Sequence, residues 1–423
     1  MKIAVIGAGI IGITTAYELA VDGHEVTVFE RRSAAAEETS FANAGVVAPG
    51  SVTPWAAPGM PGKVLRSLLS RHAAVKLSLP LSAADLAWMW KWWRACKLED
   101  YLANRTRLQR LAFYSRERLH ELTARLLLDY DRSDGYTILL RSEKDSRMLQ
   151  PGLQVLRDAG VAFSEIDADA VRKIEPAINP DTQFLGGVHL PDDEVANCRQ
   201  FALLLKDVAR SLGVKFEFNM AVAQIILGQA DSILIADENV PRQFDGVVMC
   251  AGLASASLLR PLGFKIPMTA VYGYSISAPI REALNAPRSA LMDEHYKVAI
   301  SRLGNRVRVA GSAEIGGSLS KHRLSSIQTL YKVLHDWFPG AVMHNSSHTN
   351  SGANAQLWKG ARPMLPDGPP VIGSSGIPGL WLNLGHGSSG WALSCGSARV
   401  LADVMAGKSA GIDMDGLGIE RLV

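Results

Sequence analysis

A glycine-rich stretch near the start of the chain reads Lys2-Ile3-Ala4-Val5-Ile6-Gly7-Ala8-Gly9-Ile10-Ile11-Gly12. Its apolar first half is typical of a buried parallel strand, and its glycines fit the pattern G-x-G-x-x-G. In that pattern the first glycine permits a tight turn, the second lets a pyrophosphate approach the backbone, and the third lets a helix pack close to the strand. The N–H groups and dipole at the helix start attract a diphosphate. The stretch therefore predicts a βαβ unit that binds a dinucleotide.

A second strand is predicted over 25–29, and it ends in Glu30. This carboxylate follows Gly12 by eighteen positions (30 minus 12), where it can accept hydrogen bonds from ribose hydroxyls. A bare glycine pattern is weak evidence, but here it lies between a strand and a helix with the acidic residue in register. The alternative is a glycine-rich turn in an ordinary α/β unit.

Composition narrows the class of protein. The chain has 423 residues, of which 48% are hydrophobic and 20% charged, so it is long enough for two globular domains. A net charge of +3, with no basic run interleaved with aromatics, gives no reason to expect a nucleic-acid partner. The four cysteines are widely spaced, which fits a reducing compartment and predicts no metal site. With no signal peptide and no apolar run of about 18 residues, a cytoplasmic protein is expected.

The order of predicted elements indicates an α/β fold. Two later segments, 244–252 and 379–387, read as buried strands that return to the first domain. We therefore predict a Rossmann-type, glutathione-reductase-like nucleotide domain with an inserted α+β substrate domain of mixed or antiparallel sheet. The nucleotide domain is expected over 1–85, 150–270 and 340–423, and the substrate domain over 86–149, 184–198 and 271–339.

A long loop after the second strand favours FAD as the dinucleotide. Residues 39–50 are rich in Gly, Ala and Pro, whereas a pyridine-nucleotide domain usually continues with alternating strands and helices. An extended flavin needs such a backbone wall beside its ring. The segment Gly385-His386-Gly387-Ser388-Ser389-Gly390 would supply the other wall, and the helix after it would stabilise negative charge on the reduced flavin.

Several stretches spread along the chain match a known family. They are 39–45, 54–59, Gly273-Tyr274-Ser275-Ile276, Asp293-Glu294, Arg362-Pro363-Met364, Pro366-Asp367-Gly368 and Gly385-His386-Gly387. Together they resemble the FAD-dependent D-amino acid oxidase superfamily, and most closely its D-amino acid dehydrogenases of the small-subunit type. The resemblance implies hydride transfer from the Cα of a D-amino acid to FAD N5, giving an imino acid that water converts to a 2-oxo acid and ammonia. It also implies a quinone or another non-oxygen electron acceptor.

Arg362 is the principal candidate for substrate binding. The resemblance implies that it grips the substrate carboxylate, and a guanidinium fork suits a carboxylate because it offers two parallel charge-assisted hydrogen bonds. Such a grip would place the substrate Cα–H over flavin N5. The alternative is a surface or salt-bridged arginine.

Other site residues follow from the resemblance. Relatives carry a strand tyrosine where this chain has Val298 or Ala299, so Tyr272, Tyr296 and Lys297 are expected as substitute catalytic contacts. The backbone of His386 is expected to matter more than its ring, and the acidic run 192–194 to be a solvated turn. The residues predicted to contact a non-covalent FAD are Gly7, Gly9, Ile10, Ile11, Gly12, Glu30, Arg31, Arg32, Ser40, Asn43, Ala44, Gly45, Val46, Val222, Cys250, Ala251, Gly252, Arg362, Gly385, His386, Gly387, Ser388, Ser389 and Gly390.

A cluster of tryptophans predicts a peripheral membrane contact. Trp88, Trp90, Trp92 and Trp93 lie within nine residues beside two cations. Such a segment can sit in a lipid interface, which would suit an enzyme on the inner face of the cell membrane that reduces a quinone. The alternative is packing against the flavin domain or a partner subunit.

Other functions remain open from the sequence. Tyr272 stands where the most similar dehydrogenases tend to have a lysine, so the substrate could instead be D-proline or cis-4-hydroxy-D-proline. A glycine or sarcosine oxidase that uses oxygen is a further alternative. A flavin-binding subunit that is catalytically silent alone is the last, and the presence of Arg362 counts against it.

Overall fold

The structure is a computed structural model that describes residues 1–67, 72–228, 231–342 and 355–422. Strands β1 to β19 are, in chain order, Lys2–Ile6, Glu25–Glu30, Val46–Val47, Val75–Leu77, Ser133–Leu140, Ser164–Asp167, Gly186–Val195, Lys215–Phe218, Val222–Ile226, Asp231–Ile235, Arg242–Phe244, Gly246–Met249, Thr269–Pro279, Ala290–Asp293, Val298–Leu303, Arg306–Ile315, Gln356–Met364, Val371–Ser374 and Leu380–Leu384. Helices α1 to α10 are Ile10–Val21, Met60–Ser67, Ala83–Arg94, Leu98–Leu126, Glu143–Asp158, Ala168–Ile174, Cys198–Ser211, Ala254–Leu259, Leu324–Trp337 and Gly390–Met405.

The first sheet is the predicted nucleotide-binding sheet. Its strand order is β18-β19-β12-β1-β2-β8, and β1 pairs in parallel with both β2 and β12. Strand β1 is buried along nearly its whole length, as expected of a parallel strand covered on both faces. The returning segments predicted at 244–252 and 379–387 form β12 and β19, side by side. This brings distant parts of the chain to the carboxyl end of β1.

The second sheet is large and mixed. Its order is β17-β13-β16-β15-β14-β5-β7-β3, with β4 added on β16 and β6 on β7. Pairing along this order is antiparallel except between β14 and β5. Helix α9 covers one face, where Leu330 and Trp337 pack in one core with Tyr274 and Ile276. The opposite face is turned toward the loop that follows β2. The predicted fold class, a Rossmann-type domain with an inserted mixed-sheet domain, is confirmed.

Two local features differ from, or add to, the sequence prediction. The run 192–194 is not a solvated turn but part of β7, where Asp193 and Glu194 are each 1% exposed. Pairing with β5 and β3 extends the strand through them, and Arg132 forms an ion pair with Glu194. Helix α4 packs in the core of the nucleotide-binding sheet, although the predicted boundaries assign it to the substrate domain. Those boundaries stay a prediction.

Candidate flavin and substrate site

The glycine turn after β1 needs two of its glycines for packing within the protein. Gly7 has φ +105°, and a Cβ there would lie 2.7 Å from the carbonyl oxygen of Cys250. A Cβ on Gly12 would lie 1.8 Å from the carbonyl oxygen of Gly7. Any side chain at either position would collide with backbone, so these glycines let α1 and β12 close around the turn.

Gly9 has a different environment. Its φ of −73° and ψ of 179° are open to any residue, and a Cβ there would meet only the Ser40 Oγ, at 3.4 Å. Neither backbone nor packing therefore requires glycine. The space lies at the start of α1, where the N-cap residue Gly9 has no side chain to cap the helix and Ile10 N–H donates to Ser40 Oγ at 3.0 Å. An open space at a helix N-terminus fits the diphosphate of a dinucleotide.

Glu30 lies at the end of β2, beside the glycine turn. Its two carboxylate oxygens accept hydrogen bonds from Ala8 N–H at 2.8 Å and Arg32 N–H at 2.9 Å. The side chains of Arg31 and Arg32 both pair with Glu38. The carboxylate is therefore held at the edge where a ribose would lie, and ribose binding by these residues stays a prediction.

The predicted flavin wall is fixed by the large sheet. Three neighbouring strands each donate one side-chain hydrogen bond to a carbonyl of the loop, so consecutive peptides are held in one orientation. The bonds run from Ser275 Oγ to Ala42 O at 2.9 Å, from Arg308 Nη1 to Asn43 O at 3.0 Å and from Ser301 Oγ to Ala44 O at 2.7 Å. None of these three donors was predicted to hold the loop, although Ser275 lies in one of the matching stretches, because their partners are distant along the chain.

Gly45 continues the wall. Its φ is +82°, and its carbonyl accepts hydrogen bonds from Ala196 N–H at 2.9 Å and Trp391 Nε1 at 3.2 Å. Its N–H donates to Asn43 Oδ1 at 3.0 Å. Val46 then pairs with Val195 at the far edge of the sheet. The wall thus crosses the sheet from one edge to the other.

The second predicted wall lies before α10. The ring of His386 is 4% exposed and shares a hydrogen bond of 3.0 Å between Nε2 and Ser397 Oγ, and burial lowers its pKa to about 3. The ring is therefore neutral. Gly387 has φ +56°, and a Cβ there would lie 2.7 Å from the sulfur of Met364. Positions 387–389 form a 3₁₀ turn, and α10 begins at Gly390 without a side-chain cap.

The remaining predicted cofactor residues flank the glycine turn. Cys250 is buried directly after β12, and its N–H donates to Ile6 O at 3.0 Å. Gly252 has φ +54°. Ala251 and Val222 pack against one apolar core, which also holds Ile6.

Arg362 lies on β17, on the face of the sheet that carries Ser275 and Ser301. Among the described residues its guanidinium makes one hydrogen bond, from Nη1 to the Ser312 carbonyl at 3.1 Å, and no carboxylate forms an ion pair with it. The side chain keeps some exposed surface, yet burial of the guanidinium lowers the pKa of Arg362 to about 10. A buried cation without a counter-ion is suited to bind an anionic ligand.

The other predicted catalytic residues lie elsewhere. Tyr272 is on the opposite face of β13, with its ring centroid 4.5 Å from Lys359 Nζ. Tyr296 and Lys297 form the tip between β14 and β15. The Tyr296 ring centroid lies 5.0 Å from the Arg141 guanidinium, and Lys297 pairs with Glu294. Their contact with substrate stays a prediction, and Arg362 alone of the four lies on the loop-facing side.

Comparison with known proteins gives the family. Residues 2–404 match the family model described as FAD dependent oxidoreductase. The chain is 41% identical to a D-amino acid dehydrogenase of Bradyrhizobium diazoefficiens over 423 residues, covering 100% of this chain and 99% of the relative. It is also 41% identical to a D-amino acid dehydrogenase of Cereibacter sphaeroides, covering 100% of this chain and 96% of the relative.

Solved structures share the fold at low sequence identity. Glycine oxidase from Geobacillus kaustophilus superposes with a TM-score of 0.76 at 19% identity, covering 100% of this chain and 99% of that one. L-Proline dehydrogenase from P. horikoshii gives 0.74 at 15% identity, covering 100% and 97%. With the glycine turn, the two walls and the match along nearly its whole length, this chain belongs to the FAD dependent oxidoreductase family.

Proposed function

We propose that this protein is a dehydrogenase that oxidises D-amino acids at the α-carbon with FAD as cofactor. The observation that carries the proposal is Arg362, a buried guanidinium with one carbonyl partner on the face that holds the flavin wall. An amino acid supplies the carboxylate that this cation lacks. The full-length relatives named as D-amino acid dehydrogenases support the D configuration.

The residues of the site would have two roles, which are to hold FAD and to bind the substrate. Gly9, Glu30, the 42–45 loop and the 385–390 turn would hold FAD, which when bound accepts a hydride. Arg362 would bind the substrate carboxylate and so fix the Cα–H in one orientation. The substrate then loses a hydride from Cα and a proton from nitrogen, and water hydrolyses the resulting imino acid. The neutral ring of His386 is buried against Ser397, so it carries no imidazolium proton to donate as an acid at neutral pH.

An anaerobic titration of the purified flavoprotein tests the function. D-Alanine should bleach the flavin absorbance near ~450 nm, and L-alanine should leave it unchanged. D-Proline and cis-4-hydroxy-D-proline in parallel would rank the substrate class. Bleaching by glycine with rapid reoxidation in air would contradict the proposal in favour of an oxidase. A flavin that no amino acid reduces would contradict it in favour of a silent subunit.

We also propose that α3 lies against a membrane and that the electron acceptor is a lipid-soluble quinone. Trp88 and Trp92 are buried, so they cannot form such a contact, but Trp90 and Trp93 are 54% and 59% exposed. Lys91 and Arg94 flank them, and an apolar groove of about 390 Å³ adjoins Trp93. Exposed tryptophans beside cations favour an anionic lipid interface. Among the described helices, none is long and apolar enough to cross a bilayer.

Sedimentation with phosphatidylcholine vesicles, with and without phosphatidylglycerol, tests the contact. The holoprotein should bind the anionic vesicles, and Trp90→Ser with Trp93→Ser should abolish binding while FAD is retained. Leu284→Ser is the matched control, since Leu284 is 82% exposed outside α3. Absence of wild-type co-sedimentation, or equal loss in the control, would refute the membrane contact.

A further inference from the structure

Gly273 lies on β13 directly beneath the Arg362 guanidinium. A Cβ on Gly273 would lie 2.3 Å from Nη2 and 2.6 Å from Cζ of Arg362. Gly273 is not among the residues with positive φ, so its backbone conformation does not call for glycine. Glycine is therefore required at position 273 because the Arg362 guanidinium occupies the space where any other residue would place its Cβ.

The neighbouring strand is irregular at the same point. Tyr272 pairs with Glu314, but Tyr274 pairs with Gly311, so two residues of β16 stand opposite Gly273. The first of the two, Ser312, has φ +60°. Such a bulge redirects backbone groups, and the carbonyl of Ser312 accepts the hydrogen bond from Arg362 Nη1 at 3.1 Å.

We infer that Gly273 and the Ser312 bulge form a seat that orients Arg362 toward the substrate carboxylate, which makes Gly273 a positioning residue. The inference rests on the proposed function, because it assumes that Arg362 binds a carboxylate. The glycine leaves room for the guanidinium to lie on the strand, and the bulged carbonyl fixes its rotation. The donors that remain then face the side of the flavin wall.

A side chain at position 273 would move the guanidinium without unfolding the protein. Ordinary van der Waals contact begins near 3.4 Å, so a Cβ now 2.3 Å from Nη2 would displace it by about 1 Å. The obstacle is the far end of a flexible side chain, which can shift at little cost in stability. A misplacement of about 1 Å in a substrate-positioning group can cost about 100-fold in rate.

The test is Gly273→Ala in the FAD-loaded enzyme. We expect kcat/KM for D-alanine to fall roughly 10- to 100-fold, mainly through KM, with FAD content and melting temperature close to wild type. Gly246→Ala on β12 is the matched control, because a Cβ there meets its closest atom at 3.4 Å. Its kinetics should remain unchanged. An unchanged KM in Gly273→Ala would overturn the inference.

A double-mutant cycle separates positioning from a general structural effect. In the Arg362→Ala background, Gly273→Ala should cause no further loss of kcat/KM, because the seat then has nothing to hold. An equal loss in both backgrounds would overturn the inference. Binding of propionate, read from the flavin spectrum, should weaken in Gly273→Ala even if no D-amino acid reduces the flavin. This measurement therefore fails or succeeds independently of the proposed function.

Discussion

Strand β17 carries two buried cations on opposite faces of the large sheet, and their surroundings differ. Lys359 faces α9, and its side chain is 1% exposed. Its ammonium has three partners, which are Glu314 Oε2 at 2.9 Å and the carbonyls of Ser318 at 2.8 Å and Lys321 at 2.7 Å. Arg362, three residues later, lies on the face with the predicted flavin wall and, among the described residues, has one carbonyl partner.

The two cations differ in that Lys359 has a buried counter-ion, whereas Arg362 has none among the described residues. Burying a charge is costly unless it is paired, so Lys359 is stable where it lies because Glu314 neutralises it. The cost at Arg362 persists in the unliganded protein, and burial depresses its pKa. A substrate carboxylate would remove that cost on binding. We therefore expect the substrate to bind on the face of the sheet that carries Arg362.

Arg362→Ala should have the largest effect, because it removes the cation that we propose binds the substrate carboxylate. We expect kcat/KM for D-alanine to fall by on the order of 100-fold, which corresponds to about 3 kcal/mol lost with the charged hydrogen bonds. FAD content should be unchanged, since the cofactor walls do not depend on this side chain. Steady-state kinetics with a soluble dye measure the effect. An unchanged kcat/KM would show that Arg362 is not the carboxylate anchor.

Lys359→Met tests whether the buried ion pair with Glu314, on the opposite face of the sheet, serves stability alone. Removing one partner of a buried ion pair should lower the free energy of unfolding by about 3 kcal/mol, while KM for D-alanine stays close to wild type. Urea denaturation of the holoprotein measures the loss. Lys332→Met on α9 is the control, because its pair with Asp336 is partly exposed and should contribute less than about 1 kcal/mol. A raised KM with full stability would reverse the assignment of the two faces.

Ser301→Ala should have the smallest effect, and it probes the loop on the face of the sheet that carries Arg362. Loss of its hydrogen bond to Ala44 O should weaken FAD binding by about 1 kcal/mol, or roughly fivefold in Kd. Titration of the apoprotein with FAD measures this change. Ser257→Ala is the control, since that hydroxyl bonds only within its own helix segment. Equal Kd values for both variants would show that the sheet does not hold the wall.

Much of the fold could be predicted because its signals are local. The glycine turn, the strand ending at Glu30 and the returning strands β12 and β19 each follow from a short apolar run bounded by small residues. Arg362 could be named because a motif surrounds it. The burial of Asp193 and Glu194 could not be predicted, since it depends on Arg132 and on strands far away in the sequence.

The side chains that donate to the carbonyls of the flavin wall could not be predicted either, because their partners are also distant along the chain. Ser275, Ser301 and Arg308 lie among other polar residues of their strands, and their partners lie more than 230 positions away. Strand alternation gives the face of each residue, but only the assembled sheet shows what that face meets. Likewise, only the packing of α3 decides which of its tryptophans are exposed and which are buried.

The hydrogen bonds to the Gly45 carbonyl imply an order in which parts of the protein form during synthesis. Its carbonyl is held by Ala196 and by Trp391, so a segment made early in synthesis reaches its final shape only after α10 has left the ribosome. A nascent chain can form the glycine turn long before that, but it lacks the completed wall. We expect cofactor capture to be a late, post-translational event, and shortened chains that lack α10 to emerge without flavin.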